Sequence, residues 1–284
     1  MVSTDILQCP YCANHTFGKR DENLVCASCG KSASLKGEKI FFSEFPQNAA
    51  VNPVAEPRDK RRWTPLRLAQ HKFIASVVEP IPSALQLCDL GRGPGQLGDL
   101  YDKFTQVVGI DFYPYGGVDI VTDLEKSLPV RDSVFDVVSS TNTFEHIHQV
   151  QGLVKECLRV LRHGGILMGS TPFLLGIHQA PYDFHRFTRY ELEKLLGEAG
   201  FVEIKIVSLA SAYDWYRTSE LHFFMKLFDA ARALRSWPKS FLALVAVKMV
   251  WNLQKYFTKT MRPLFSLSKD TDHVLGYGFT AKKQ

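Results

Sequence analysis

The chain has 284 residues, 45% of them hydrophobic and 22% charged, with a net charge of +5. This composition excludes a disordered or fibrous chain and suits one full-sized globular domain plus a smaller module. The longest apolar run, Phe241–Val247, stops at Lys248, far short of the roughly 20 residues a membrane-spanning helix needs. The opening Met-Val-Ser-Thr-Asp has no basic-then-apolar leader, so a cytoplasmic location is expected.

The first element in chain order is a pair of Cys-x-x-Cys knuckles, Cys9/Cys12 and Cys26/Cys29, separated by thirteen residues. Each knuckle can wrap two thiolates around one ion, and two complete a tetrahedral four-cysteine set that selects zinc over harder cations. A redox dithiol would be expected once, beside a βαβ unit, whereas the pair of knuckles fits a closed structural zinc site. A short hairpin around Gly37 follows, giving a ribbon over residues 1–46. Residues 47–65, with three prolines and the cluster Arg58, Lys60, Arg61 and Arg62, have no periodicity and read as a solvated linker.

From residue 66 the pattern alternates. An amphipathic helix over 66–78 is broken by Pro80 and Pro82. Strands are expected over 85–90, 107–110, 118–121, 136–140 and 166–170, with helices over 96–104 and 152–161. Short apolar strands separated by helices specify a doubly wound parallel sheet, and such sheets bind ligands at the carboxyl ends of their strands. The loop Asp-Leu-Gly-Arg-Gly-Pro-Gly at 89–95 sits at one of those ends, and Asp111 closes the next strand 22 residues after Asp89. An acid there accepts ribose hydroxyls, so a nucleotide-like cofactor is implied. Pro94 breaks the dinucleotide fingerprint, and no Walker lysine follows the loop, which excludes a P-loop.

The stretch "LQLCDLGRGPGQLG" resembles motif I of class I S-adenosylmethionine-dependent methyltransferases of the type 11 kind. The resemblance continues in order through "VVGIDFYP", "VTDLEKSLPVRDSVFDVVSSTNTFEHI", "LRHGGILMGSTPF" and "FTRYELEKLLGEAGF". It implies a Rossmann-like α/β fold with a mostly parallel sheet, and S-adenosylmethionine as cofactor. Gly91, Gly93 and Gly95 would admit the methionyl part, and Asp89 would support that loop. Asp111 would bind the ribose hydroxyls with Phe112 beside the adenine. Asp123 would accept from the adenine amino group, Leu124 would pack near the ring, and Thr141 and Asn142 would line the reactive end. Related loops usually carry a small residue or cysteine at position 92, so Arg92 is a departure, expected to face solvent or the cofactor carboxylate. The cysteine segment resembles zinc ribbons found ahead of some bacterial methyltransferase domains, and the small zinc-ribbon partners of tRNA methyltransferases.

Methyl transfer from a sulfonium is an in-line displacement, in which positioning does most of the work and a base helps a hydroxyl or protonated amine. The loop "TPFLLGIHQAPYDFHRFT" is dense in polar and aromatic groups, and His178, Asp183 and His185 are its candidate catalytic residues. Glu145 and His146 in "TFEHIHQ" read as part of the family's fold pattern. Thr188 and Glu191 form a capping signature and Gly200 a helix stop, which clamp the loop's far end.

An insert over 217–265 precedes the last strand. From Arg217 to Arg262 it carries nine Lys and Arg residues against Glu220 and Asp229, on an otherwise apolar pattern. It fits a lid over the acceptor pocket, a homodimer face, or a helix lying in a membrane interface. The expected protein is a methyltransferase with domain 66–284, acting on oxygen or nitrogen of a small-molecule, glycan or lipid-precursor acceptor. An RNA methyltransferase with a nucleic-acid partner, or a non-catalytic scaffold of the same fold, are the alternatives.

Overall fold

The computed structural model describes residues 3–43, 63–234, 237–267 and 273–284. The basic cluster at 58–62 and most of the expected linker lie outside the described residues.

The described chain forms one eleven-stranded mixed sheet. Four short strands belong to the cysteine segment: β1 (Phe17–Arg20), β2 (Asn23–Cys26), β3 (Ser32–Lys36) and β4 (Lys39–Phe41). They pair antiparallel in sequence, with Gly37 at the left-handed φ of +63° that its tight turn requires. Next come α1 (Pro65–Val78), β5 (Gln86–Leu90), α2 (Gly98–Tyr101), β6 (Gln106–Asp111), β7 (Ile120–Val121), β8 (Phe135–Thr141), α3 (Val150–Val160) and β9 (Leu161–Pro172). They are followed by α4 (Arg189–Ala199), β10 (Phe201–Leu209), α5 (Ala212–Arg232), α6 (Trp237–Leu267) and β11 (Gly276–Lys283).

The strand order is β1-β2-β3-β4-β7-β6-β5-β8-β9-β11-β10. The run from β4 to β9 is parallel, and β11 returns antiparallel on β9. Parallel strands covered on both faces are apolar throughout, and Leu87, Cys88 and Leu90 of β5 are fully buried. Ile74, Val78, Tyr101 and Phe104 close one core against Leu87, Val137 and Met168. The sequence order reverses at β5, so β6 lies on one side and β8 on the other. That switch point opens the ligand crevice above the carboxyl ends.

The ribbon does not stand apart from the parallel strands. β4 adds in parallel to β7, with Ile40 opposite Ile120, and the Lys39 ammonium donates to the carbonyls of Tyr115 and Val118 at 2.6 and 2.7 Å. Leu7 bridges to Val130 on the same side. Residues 1–207 and 276–284 make one compact unit, and 208–275 make a second.

Three expected elements differ in extent. The helix expected over 96–104 is regular only over Gly98–Tyr101, because Gly98, Leu100 and Phe104 bond three residues back and tighten the segment into turns. The strand expected over 166–170 begins at Leu161. It pairs with Phe135, bulges through 162–165 and resumes at Ile166 opposite Val137. The insert begins earlier than expected, since Ser211 and Asp214 form a reciprocal capping box that starts α5 at Ala212. Within the second unit, Phe224 and Phe228 pack on Trp251, while Leu221 and Met225 of the same helix are exposed. Among the described residues, no helix is long and apolar enough to cross a membrane.

Candidate functional site

The glycine loop leaves β5 through Gly91, whose φ is +67°. A Cβ there would lie 2.1 Å from Thr143 Oγ1, so no other residue fits without displacing the neighbouring chain. Thr143 Oγ1 donates to the Leu90 carbonyl at 3.2 Å, which ties the end of β8 to the loop. Gly93 donates its N–H to Asp111 Oδ2 at 2.8 Å, and Tyr113 donates to Oδ1 at 2.8 Å. Two sequence-distant acids thus share one loop: Asp111 accepts from it, and Asp89 lies beneath it.

Arg92 faces neither solvent nor the crevice. It folds back under the loop, with Nη1 3.3 Å from Asp89 Oδ2 and its side chain 16% exposed. Its stem fills the space that Gly109 and Gly117 leave, since a Cβ on Gly109 would lie 2.3 Å from Arg92 Cδ. The guanidinium is therefore the counter-ion of Asp89. Burial still pushes the Asp89 carboxyl up to about 7; Arg92 opposes that rise and Asp111 adds to it. Burial also raises Asp111, against the N–H groups that it accepts.

Phe112 and Asp123 line a cavity of about 1640 Å³ together with Tyr11, Phe41 and Phe42 of the ribbon. Leu124 is buried beside it. Thr141 closes β8 with its hydroxyl buried, and Asn142 follows in the left-handed region at φ +53°. Asn142 Oδ1 accepts from Gln70 Nε2 of α1 at 2.5 Å, and its N–H donates to the Ser170 carbonyl. Gln70 joins the site although its helix gives no sign of it. A lone polar residue on an amphipathic helix carries no signal by spacing.

Beyond Asn142, a single 3-10 turn over Phe144–His146 carries Glu145 inward. Phe184 and His185 donate their N–H groups to the Glu145 carbonyl, which pins the loop 173–187 to this turn. The three expected catalytic residues part company. His178 points to Glu145, with Nε2 3.9 Å from Oε1 and Nδ1 3.4 Å from Asp183 Oδ2. Asp183 is gripped by both Arg186 Nη atoms at 2.6 and 2.8 Å and accepts the His178 N–H. Burial acts upward on Asp183, but the Arg186 guanidinium and then the His178 N–H bring it down to about 2. It is a fixed carboxylate that orients the loop. His185 turns away, its Nε2 3.2 Å from the His148 carbonyl. Glu145 and His146, which sequence reasoning assigned to the fold pattern, sit with His178 in one cluster.

In the ribbon, the sulfurs of Cys9, Cys12, Cys26 and Cys29 lie within 4.8 Å of one another. The Cys29 N–H turns toward the Cys26 sulfur and, against burial, brings that thiol down to about 6, while burial pushes Cys9 up to about 12. Four convergent sulfurs with backbone N–H groups aimed at them fit a tetrahedral thiophilic ion.

A switch-point crevice with a glycine turn, strand-end acids and a polar loop facing them defines a Rossmann-like ligand-binding domain. Residues 88–169 match the methyltransferase domain family. The chain is 28% identical over 156 residues to a probable S-adenosylmethionine-dependent methyltransferase of Mycobacterium tuberculosis, covering 49% of this chain and 57% of the relative. A second probable methyltransferase, from Mycolicibacterium smegmatis, is 32% identical over 129 residues, covering 40% of this chain and 50% of the relative. The chain thus spans about half the length of these curated relatives. Among solved structures, phosphoethanolamine N-methyltransferase 2 of Haemonchus contortus is similar at 16% identity and a TM-score of 0.46, covering 75% of this chain and 52% of that one.

Proposed function

We propose that the chain transfers the methyl group of S-adenosylmethionine to an oxygen or nitrogen of a small-molecule, glycan or lipid-precursor acceptor. The observation that carries this is the convergence of Gly91, Asp111 and Asn142 at the carboxyl ends of β5, β6 and β8, with the loop 173–187 pinned beside them through Glu145. The glycine turn receives the methionyl part, and ionised Asp89 offers a charge partner to the cofactor's ammonium. Asp111 keeps lone pairs for the ribose hydroxyls, and Phe112 and Asp123 meet the adenine in the cavity walled by the ribbon. Asn142, held by Gln70, faces the reactive end. The acceptor enters from the side of loop 173–187, where the Arg186–Asp183 pair fixes His178. In-line transfer then needs the acceptor atom about 3 Å from the methyl carbon, on the side opposite sulfur.

The four cysteines hold a structural zinc, which keeps the ribbon in place as the edge of the sheet and a wall of the adenine cavity. The second unit favours a lipid-linked acceptor at a membrane surface. Leu242, Met249, Leu253 and Tyr256 of α6 are all more than 60% exposed, on the helix that also carries Lys248, Lys255 and Lys259. An apolar face edged with lysines fits an anionic lipid interface.

Purified protein given radiolabelled S-adenosylmethionine with separate lipid, small-metabolite and RNA extracts tests this reading. Label entering the lipid or small-metabolite fraction is expected. Label in RNA alone, or in no fraction, contradicts it. Co-sedimentation with anionic vesicles, weakened by Leu253→Ser, is expected for the membrane contact.

A further inference from the structure

Glu145 is fully buried, yet neither of its carboxylate oxygens has a hydrogen-bond partner among the described residues. A buried carboxylate left in that state costs several kcal/mol unless something cationic meets it. The nearest groups are His146 Nε2 at 3.7 Å and His178 Nε2 at 3.9 Å from the same oxygen, both too long for a hydrogen bond. His146 Nε2 is itself buried and has no hydrogen-bond partner among the described residues. Three ligand-type atoms therefore point at one another across a gap that none of them fills.

The other side of each imidazole is already occupied. His146 Nδ1 lies 2.5 Å from the Tyr182 carbonyl, so it carries the proton and leaves the Nε2 lone pair facing Glu145. His178 Nδ1 lies 3.3 Å from the Gly176 carbonyl and 3.4 Å from Asp183 Oδ2, with Arg186 Nη2 also at 3.4 Å. Two acceptors against one donor again place a proton on Nδ1, and Nε2 faces Glu145. A backbone carbonyl or carboxylate behind each imidazole is how proteins orient histidines toward metal ions. Around a shared ion, ligand atoms about 2.1 Å from the metal lie roughly 3 Å apart. The two Glu145–histidine distances reach that spacing by contracting less than an ångström, and all three ligand atoms lie within 4.8 Å of one another.

We propose that Glu145, His146 and His178 bind a divalent transition cation, and that its open positions take a hydroxyl oxygen of the methyl acceptor. Two imidazoles and one carboxylate suit manganese, iron, cobalt or zinc, and three protein ligands leave at least one position for substrate. The site lies two residues past Thr143, which touches the cofactor loop through Gly91, so the cation stands at the reactive end of the crevice. It is separate from the four-cysteine set, whose thiolates complete a closed tetrahedron. As to the acceptor, the inference rests on the methyltransferase reading above, and it narrows that reading to oxygen. The cation lowers the pKa of the bound hydroxyl, whose proton leaves to water. The alkoxide oxygen forms its bond to the methyl carbon as the carbon–sulfur bond breaks, and the electron pair stays on sulfur as S-adenosylhomocysteine.

The test uses full-length, zinc-replete protein titrated with Mn²⁺, with free Mn²⁺ read by electron paramagnetic resonance. Manganese competes poorly for the thiolate site. The expected result is one Mn²⁺ per chain, weakened at least about tenfold by the near-isosteric Glu145→Gln and by His178→Ala. His222→Ala, at an exposed histidine on α5, is expected to bind as wild type. Absence of saturable binding of both Mn²⁺ and Co²⁺ to wild type, or unchanged Mn²⁺ binding in Glu145→Gln, overturns the metal site. S-adenosylmethionine binding measured calorimetrically on the same samples separates the two claims. Cofactor binding without Mn²⁺ binding defeats only the cation, and Mn²⁺ binding without cofactor binding defeats the acceptor assignment.

Discussion

The cysteine ribbon and the glycine-loop crevice sit in one sheet but are specified in opposite ways. The ribbon's four sulfurs come from two local turns, and each knuckle would orient its own pair on any chain that carried it. The crevice has no such locality. Asp89 needs Arg92 to fold back under it, Arg92 needs the empty space at Gly109 and Gly117, and Asn142 needs Gln70, which lies 72 positions away in sequence. The difference teaches that a site written in spacing forms from local turns, whereas a site assembled from distant parts fails through its neighbours.

The largest effect expected is on the local site. Cys26→Ser leaves an incomplete thiolate set, and the ribbon loses the free energy of the proposed zinc ion, about 5 kcal/mol or more. Limited proteolysis is expected to cut within residues 3–43, while calorimetric binding of S-adenosylmethionine weakens without vanishing. Complete loss of the cofactor site would show that the two regions are not separable. Next comes Gly91→Ala, which drives a methyl group into Thr143 at a φ that L-residues avoid. A loss of about 3 kcal/mol in chemical denaturation is expected, together with loss of cofactor binding. Gly91→Ala combined with Thr143→Ala is expected to recover part of the stability, because the clashing hydroxyl is gone.

Arg92→Cys is expected to cost about 2 kcal/mol in the same assay, since it strips Asp89 of its counter-ion and empties the space against Gly109. Its cofactor affinity should be unchanged or weaker. A large gain would contradict the role given to Arg92. Asp89→Asn has the smallest effect on folding but a distinct pH signature. The folded carboxyl, at about 7, titrates above the usual unfolded value near 4, so wild-type stability falls as pH rises between those values. Asparagine removes that slope from a pH series of denaturation midpoints. It also removes the rise in cofactor affinity expected through pH 7 as Asp89 ionises.

Much of this was legible in the residues, and the limits have physical causes. The order of strands and helices, the glycine turn and the four-cysteine set follow from periodicity and spacing, which are local properties. The joining of β4 to β7 was not legible, because Lys39–Phe41 and Ile120–Val121 are too short to carry a pairing signal. The course of Arg92 was not legible either. Its direction depends on missing side chains at two glycines in other segments. Glu145 was read as part of the fold pattern, and only its burial without a partner, beside a histidine from a loop 33 positions on, gives it chemical meaning. A buried acid flanked by His146 and followed by a His-rich loop is the signal that could have raised it.

Calorimetric titration of S-adenosylmethionine into wild type and Asp111→Ala tests the central claim most directly, since Asp111 accepts from the glycine loop and is the proposed ribose ligand. One cofactor per chain, with affinity at least about tenfold weaker in the variant, is the predicted result. Failure of wild type to bind at millimolar cofactor, or equal binding by both proteins, would contradict it.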